Sequence, residues 1–163
     1  MTPTINARVQ QIEPSGIRKI SNLLIHYPDA INLTVGQPDF PTPARVKLAA
    51  HQAIAANQTA YSHNAGLLEL RQAVSTFFAA KYGFTYDPET EILVTTGASE
   101  AMDVAFRTIL EAGDEVIIPV PSYAGYEPLI TLAGARPVYL DTTQTDFIPD
   151  PKQIEQLITS NTK

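Results

Sequence analysis

Apolar and polar positions alternate along this chain in two rhythms. Ile17, Ile20, Leu23 and Leu24 recur at helical spacing after Ser15, a residue suited to cap a helix start, and Tyr27-Pro28-Asp29 closes that element. Ile31-Asn32-Leu33-Thr34-Val35 then alternates in steps of two and predicts a half-buried strand. Thr42 as cap, with Pro43 at the first helical position, opens a helix striped by Val46, Ala49, Ala50, Ala53 and Ile54. A further helix over Leu67 to Lys81 turns Leu70, Val74, Phe77 and Phe78 to the core and stops at Gly83.

From residue 91 onward the rhythm is regular. Short apolar runs at Ile92–Thr96, Val116–Ile118 and Pro137–Leu140 predict buried strands. Helices over Ala98–Ala112, Tyr123–Ala133 and Pro151–Thr159 separate or follow them, and Gly113 and Gly134 end the first two. Strands alternating with helices define an α/β layered sheet. In such sheets ligands bind beyond the carboxyl ends of the strands. Gly97–Ser99, the loop Pro119-Val120-Pro121-Ser122-Tyr123 and the Asp141 region all fall at that end.

Composition narrows the field. The chain has 163 residues, enough for one ordinary domain, with 44% hydrophobic and 17% charged residues. A net charge of −6 and scattered basic residues argue against nucleic acid or an anionic membrane as the main partner. With no cysteine, disulfides, thiolate metal sites and cysteine nucleophiles are excluded, which fits a reducing cytoplasm. No apolar run approaches the ~20 residues that span a bilayer. His26, His51 and His63 lack metal-ligand spacing, so no metal site is expected.

The candidate chemistry sits at a strand-to-helix turn, Val94-Thr95-Thr96-Gly97-Ala98-Ser99-Glu100. The first N–H groups of a helix have no partner within it, and the helix dipole adds positive potential there. Gly97 allows a tight turn, Ala98 leaves room for a ligand to approach, and the Ser99 hydroxyl can donate a hydrogen bond. The stretch reads either as an anion cup, most naturally for phosphate, or as a helix start capped by Thr96 or Ser99 with no ligand. Tyr123 follows two prolines at a strand end; its ring either stacks over whatever the cup holds or covers the sheet edge. Three prolines between Gly36 and Pro43 make that loop rigid, as a linker or as a preorganised ligand loop. Neither G-x-G-x-x-G nor G-x-x-x-x-G-K-[ST] occurs, so the usual nucleotide loops are absent.

Four motifs in order resemble the N-terminal part of class I/II aminotransferases, pyridoxal-phosphate enzymes of the aspartate aminotransferase fold. They are Gly36-Gln37-Pro38-Asp39-Phe40-Pro41-Thr42-Pro43; Tyr61 with Gly66 and Leu70-Arg71; Thr95-Thr96-Gly97-Ala98-Ser99-Glu100-Ala101; and Pro119-Val120-Pro121-Ser122-Tyr123. The resemblance is strongest to the bacterial aromatic, aspartate and acetyl-diaminopimelate subgroup. It implies the first part of the large domain of a fold-type I pyridoxal-phosphate-dependent transferase, over residues 46–163, preceded by an arm and small-domain segment over residues 1–45. It implies pyridoxal 5'-phosphate as cofactor, with its phosphate held by Gly97, Ala98 and Ser99 and its ring under Tyr123. Tyr61 would reach the phosphate of the neighbouring subunit of a homodimer, and Gly36 would lie by the substrate carboxylate. The reaction implied moves an amino group from an amino acid to a 2-oxo acid.

The same resemblance sets what this stretch does not supply. None of Lys19, Lys47, Lys81, Lys152 or Lys163 lies in the family's serine-rich lysine motif, so the catalytic lysine is expected beyond Lys163. The aspartate that keeps the pyridinium nitrogen protonated and the carboxylate-binding arginine are expected there too, and neither Arg71 nor Arg136 takes that arginine's place. The chain is therefore expected to be a segment, inactive alone, whose partner is the remainder of the same enzyme in a second polypeptide or in further residues. Alternatives are a carbon–sulfur lyase or ring-forming synthase on the same fold, a non-catalytic effector-binding domain, or a stand-alone binding domain.

Overall fold

The computed structural model describes residues 4–163, which divide into two compact units. One comprises Thr4–Ala30 with Thr96–Lys163, the other Ile31–Thr95.

The first unit is built on two parallel strands, β1 (Glu115–Val120) and β2 (Arg136–Asp141), in register from Glu115 opposite Arg136 to Val120 opposite Asp141. Parallel neighbours need a crossover, and α6 (Tyr126–Ala133) supplies it. It ends at Gly134 in the left-handed conformation, φ 96°. The core lies where Ile130, fully buried, meets Leu110, Ile118 and Ala135, with Phe106, Val116, Val120 and Tyr126 packed around them. α5 (Ala98–Ile109) contributes Phe106 to this core. α7 (Pro151–Leu157) starts on the side-chain cap of Asp150. On the other edge of β1 the backbone of Glu115 pairs with the chain's last residues. Its N–H donates to Asn161 O at 2.8 Å, and its carbonyl accepts from Lys163 N–H at 2.9 Å.

Near the amino terminus lie two helices, α1 (Ala7–Gln10) and α2 (Gly16–Leu23), with a 3-10 turn at Leu24–His26. Ser15 accepts from Arg18 N–H as its position predicts. Arg8 reaches the carbonyl of Leu132 at 3.4 Å, placing a cation at the carboxyl end of α6, where the helix dipole favours it.

The second unit holds α3 (Ala44–Ala55) and α4 (Leu68–Tyr82). Gly83 ends α4 at φ 75°, as a helix stop should. Arg71 is its one buried residue among the described residues. The guanidinium donates to the carbonyls of Gly66 at 3.2 Å, Pro88 at 2.6 Å and Glu89 at 3.1 Å. Nearby, Asp87 makes its own turn. The Glu89 N–H and Thr90 hydroxyl both donate to its carboxylate, and in that order they hold its pKa below the ordinary value.

Several expectations are corrected. Ile31–Val35 is not a strand: Ile31 and Leu33 are 86% and 90% exposed, and Asn32 Oδ1 accepts from both the N–H and the hydroxyl of Thr34. That local turn takes the backbone groups a ladder would need. Ile92–Thr96 is not a strand either: among the described residues the sheet is formed by β1 and β2, and within this stretch the Val94 N–H donates to the Ala65 carbonyl at 3.0 Å. The helix after Pro43 begins at Ala44 without a Thr42 side-chain cap. α5 stops at Ile109, with Leu110 already extended, and α6 begins at Tyr126, leaving Tyr123 in a loop. Of the apolar stripe of α3 only Ala53 is half-buried, and on α4 only Val74 and Phe78 of the four expected core residues are.

Candidate active site

The turn at Gly97 is built by its conformation. Gly97 has φ 85°, a region that residues with a Cβ rarely enter, and it is the N-cap of α5 with no side-chain cap bond. Neither Thr96 nor Ser99 caps the helix in the way considered from the sequence. Instead Glu100, in the first turn of α5, accepts a hydrogen bond from the N–H of Thr96. The carboxylate thereby closes a small loop around Gly97, Ala98 and Ser99. Helix geometry leaves the first N–H groups of α5 without intrahelical acceptors, and the Ser99 hydroxyl is exposed beside them.

Tyr123 comes to this turn from a different element. Its hydroxyl lies 3.4 Å from Ser99 Oγ. Two neighbours fix its ring. Tyr126 meets it edge to face, with centroids 5.5 Å apart, and a Cβ built on Gly125 would come within 2.3 Å of the ring. The glycine is therefore required for the ring to lie where it does. The structure thus brings together the four residues Gly97, Ala98, Ser99 and Tyr123 in one unit. Tyr61 and Gly36 belong to the other unit, both exposed, with Tyr61 at the end of the stretch that Arg71 and Gly66 anchor.

At the far end of β1, Glu115 is 5% exposed and held by the Thr159 hydroxyl, which donates to Oε2 at 2.7 Å, and by Arg136. Thr159 first and Arg136 second lower its pKa below the ordinary glutamate value. Strand polarity puts this cluster at the end of the sheet opposite Tyr123, so it belongs to the fold and not to the site. At the end of β2, the Thr143 N–H lowers the pKa of Asp141. Among the described residues no group of three or more His, Cys, Asp and Glu could hold a metal, and no helix is long and apolar enough to cross a membrane.

In one α/β unit, then, the amino terminus of α5, the Ser99 hydroxyl and the Tyr123 ring, which follows the carboxyl end of β1, come together. The chain belongs to the aminotransferase class I and II family, whose model matches residues 28–163. It is 55% identical over 163 residues to the probable N-acetyl-LL-diaminopimelate aminotransferase of Bacillus subtilis strain 168, covering 100% of this chain and 42% of that protein. It is 38% identical over 160 residues to the aspartate aminotransferase of Pyrococcus horikoshii, covering 98% of this chain and 41% of that protein. Among solved structures, the aspartate aminotransferase of Thermus thermophilus with maleate superposes with a TM-score of 0.92 at 35% identity, over 99% of this chain and 44% of that one. The chain thus spans about two-fifths of the length of the relatives it matches.

One residue of the site escaped the sequence reading. Glu100 was visible only as part of the motif. Its signal is a glutamate at the third helical position after a glycine turn, where a carboxylate can reach back to a preceding N–H.

Proposed function

We propose that the whole protein carrying this chain is an aminotransferase that uses pyridoxal 5'-phosphate to pass an amino group from an amino acid to a 2-oxo acid. Family membership supports the reaction class. The observation that carries the site assignment is the meeting of Ser99 and Tyr123, two hydroxyls from separate elements 3.4 Å apart at a helix amino terminus. Enzymes of this family use pyridoxal phosphate, and the donor set fits its phosphate. The N–H groups of the first turn of α5 and the Ser99 hydroxyl are all suited to an anion. When bound, the cofactor supplies the electron sink for loss of the substrate's Cα proton. In this reading Gly97, Ala98 and Ser99 would hold the phosphate through backbone N–H groups and the Ser99 hydroxyl, and Tyr123 would stack on the ring. Tyr61 serves the phosphate of a partner subunit, and Gly36 lies by the substrate carboxylate. The lysine that binds the cofactor lies outside residues 1–163, which alone do not catalyse the transfer. Residues 1–45 belong to the arm and small domain, and residues 46–163 begin the large domain.

The test uses the whole protein. Titration with pyridoxal phosphate followed by absorbance should show saturable binding. Ser99→Ala should weaken it by roughly tenfold to a hundredfold, the scale of a hydrogen bond to a charged group. Equal affinity in the variant would remove Ser99 from the phosphate site. Product analysis with amino acid and 2-oxo acid pairs separates transfer from elimination or ring closure on the same fold.

A further inference from the structure

Every feature of the turn except one is backbone or neutral hydroxyl. The exception is Glu100, a carboxylate in the first turn of the same helix that is read as holding an anion. By charge alone it is misplaced, because it would repel a dianionic phosphate. Geometry gives the reason for its presence. Its Oε2 accepts from the N–H of Thr96, and Thr96 and Glu100 stand on either side of Gly97-Ala98-Ser99. Gly97 makes the turn possible, and fixing it is costly, since a glycine gives up more conformational freedom than any other residue on being fixed. No side chain caps α5 in the ordinary manner. The Glu100 carboxylate adds a bond that spans the turn, from the first turn of α5 back to Thr96.

We infer that Glu100 is a positioning residue for the cofactor phosphate: its carboxylate clamps the Thr96 N–H and so fixes the Gly97–Ser99 turn in a shape ready for the anion. The inference rests on the phosphate-cup reading above. It separates two properties of one side chain. The hydrogen bond to Thr96 helps binding by preorganising the donors, since ordering a loop before the ligand arrives removes a cost of binding. The negative charge opposes binding. Glutamine keeps an acceptor oxygen for the Thr96 N–H and removes the charge, whereas alanine removes both.

The experiment measures equilibrium affinity of the whole protein for pyridoxal phosphate and, separately, for pyridoxal, which lacks the phosphate. Wild type, Glu100→Ala, Glu100→Gln and Ser99→Ala are compared. Glu100 is exposed, so neither of its substitutions removes a core contact. Glu100→Ala is expected to weaken pyridoxal phosphate about fivefold to tenfold, the scale of a lost helix-start bond, and to leave pyridoxal unchanged. Glu100→Gln is expected to match or exceed wild-type affinity. A Glu100→Ala protein that binds pyridoxal phosphate as tightly as wild type, or a Glu100→Gln protein as weak as the alanine variant, overturns the role of Glu100. Equal losses for pyridoxal and its phosphate also overturn it, since that pattern marks a general structural defect. If Ser99→Ala weakens phosphate binding while Glu100→Ala does not, the cup stands and only the clamp fails. If the wild type does not bind pyridoxal phosphate, both readings fall together.

Discussion

The two units of this chain are held by different forces. In the first, Ile130 is wholly buried among Leu110, Ile118 and Ala135, and a parallel strand pair runs beneath it. In the second, no apolar side chain among the described residues is buried, and the buried residue is an arginine. Val46, Leu48 and Ile54 of α3 are more than half exposed. The order of that unit's loops comes from polar pins: Arg71 on the Gly66, Pro88 and Glu89 carbonyls, and the Asp87 turn. The contrast shows where each kind of candidate residue stands. Ser99 and Tyr123 stand on a packed scaffold and are fixed within hydrogen-bonding reach of each other. Tyr61 extends, fully exposed, from a loop with hydrogen bonds at His63, Ala65 and Gly66.

Substitutions can break this contrast. The largest effect is expected in the first unit. Ile130→Ala should cost the whole protein ~4 kcal/mol by denaturant unfolding, because removing a fully buried aliphatic side chain loses both transfer energy and packing. A cost near zero would mean that the sheet-and-helix core does not carry this unit.

Arg71→Met comes next, at ~2 kcal/mol, the scale of leaving buried carbonyls without their donor. Its distinguishing sign is local. Amide exchange should accelerate around Gly66 and Pro88–Glu89 while β1 and β2 keep their protection. Uniform acceleration would show that the second unit does not rely on a local polar pin.

The smallest effect is a pH dependence in the first unit. The pKa of Glu115 is lowered in the folded chain, chiefly by the Thr159 hydroxyl and then by Arg136. A lowered carboxylate pKa contributes stability above the unfolded value, and that contribution fades as pH falls through the folded value. Acid should therefore weaken the protein below the ordinary glutamate value of 4.5, and Glu115→Gln should flatten that limb of the stability curve. An unchanged acid limb in the variant would show that the Glu115 carboxylate does not carry it.

Much of this protein was legible in residue order. The helix starting at Ser15, the stops at Gly83 and Gly134, and the two strands around 116 and 137 follow from capping chemistry and apolar runs, which act over a few residues. So does the Gly97 turn, since φ 85° with ψ 168° is a conformation that glycine adopts far more readily than a residue with a Cβ. Tertiary structure decided what depends on a distant partner. Ile31–Val35 and Ile92–Thr96 carry strand-like patterns, but a strand forms only with a ladder partner, and side-chain periodicity does not supply one. That Tyr123 meets Ser99, that Gly125 must lack a side chain beneath that ring, and that Arg71 is buried on three carbonyls are all contacts between residues far apart or facing each other in space. Glu100 falls between the two cases. Its position in the first helical turn was there to read, but the bond that gives it a role exists only once Gly97 has bent the backbone to bring the Thr96 N–H within reach.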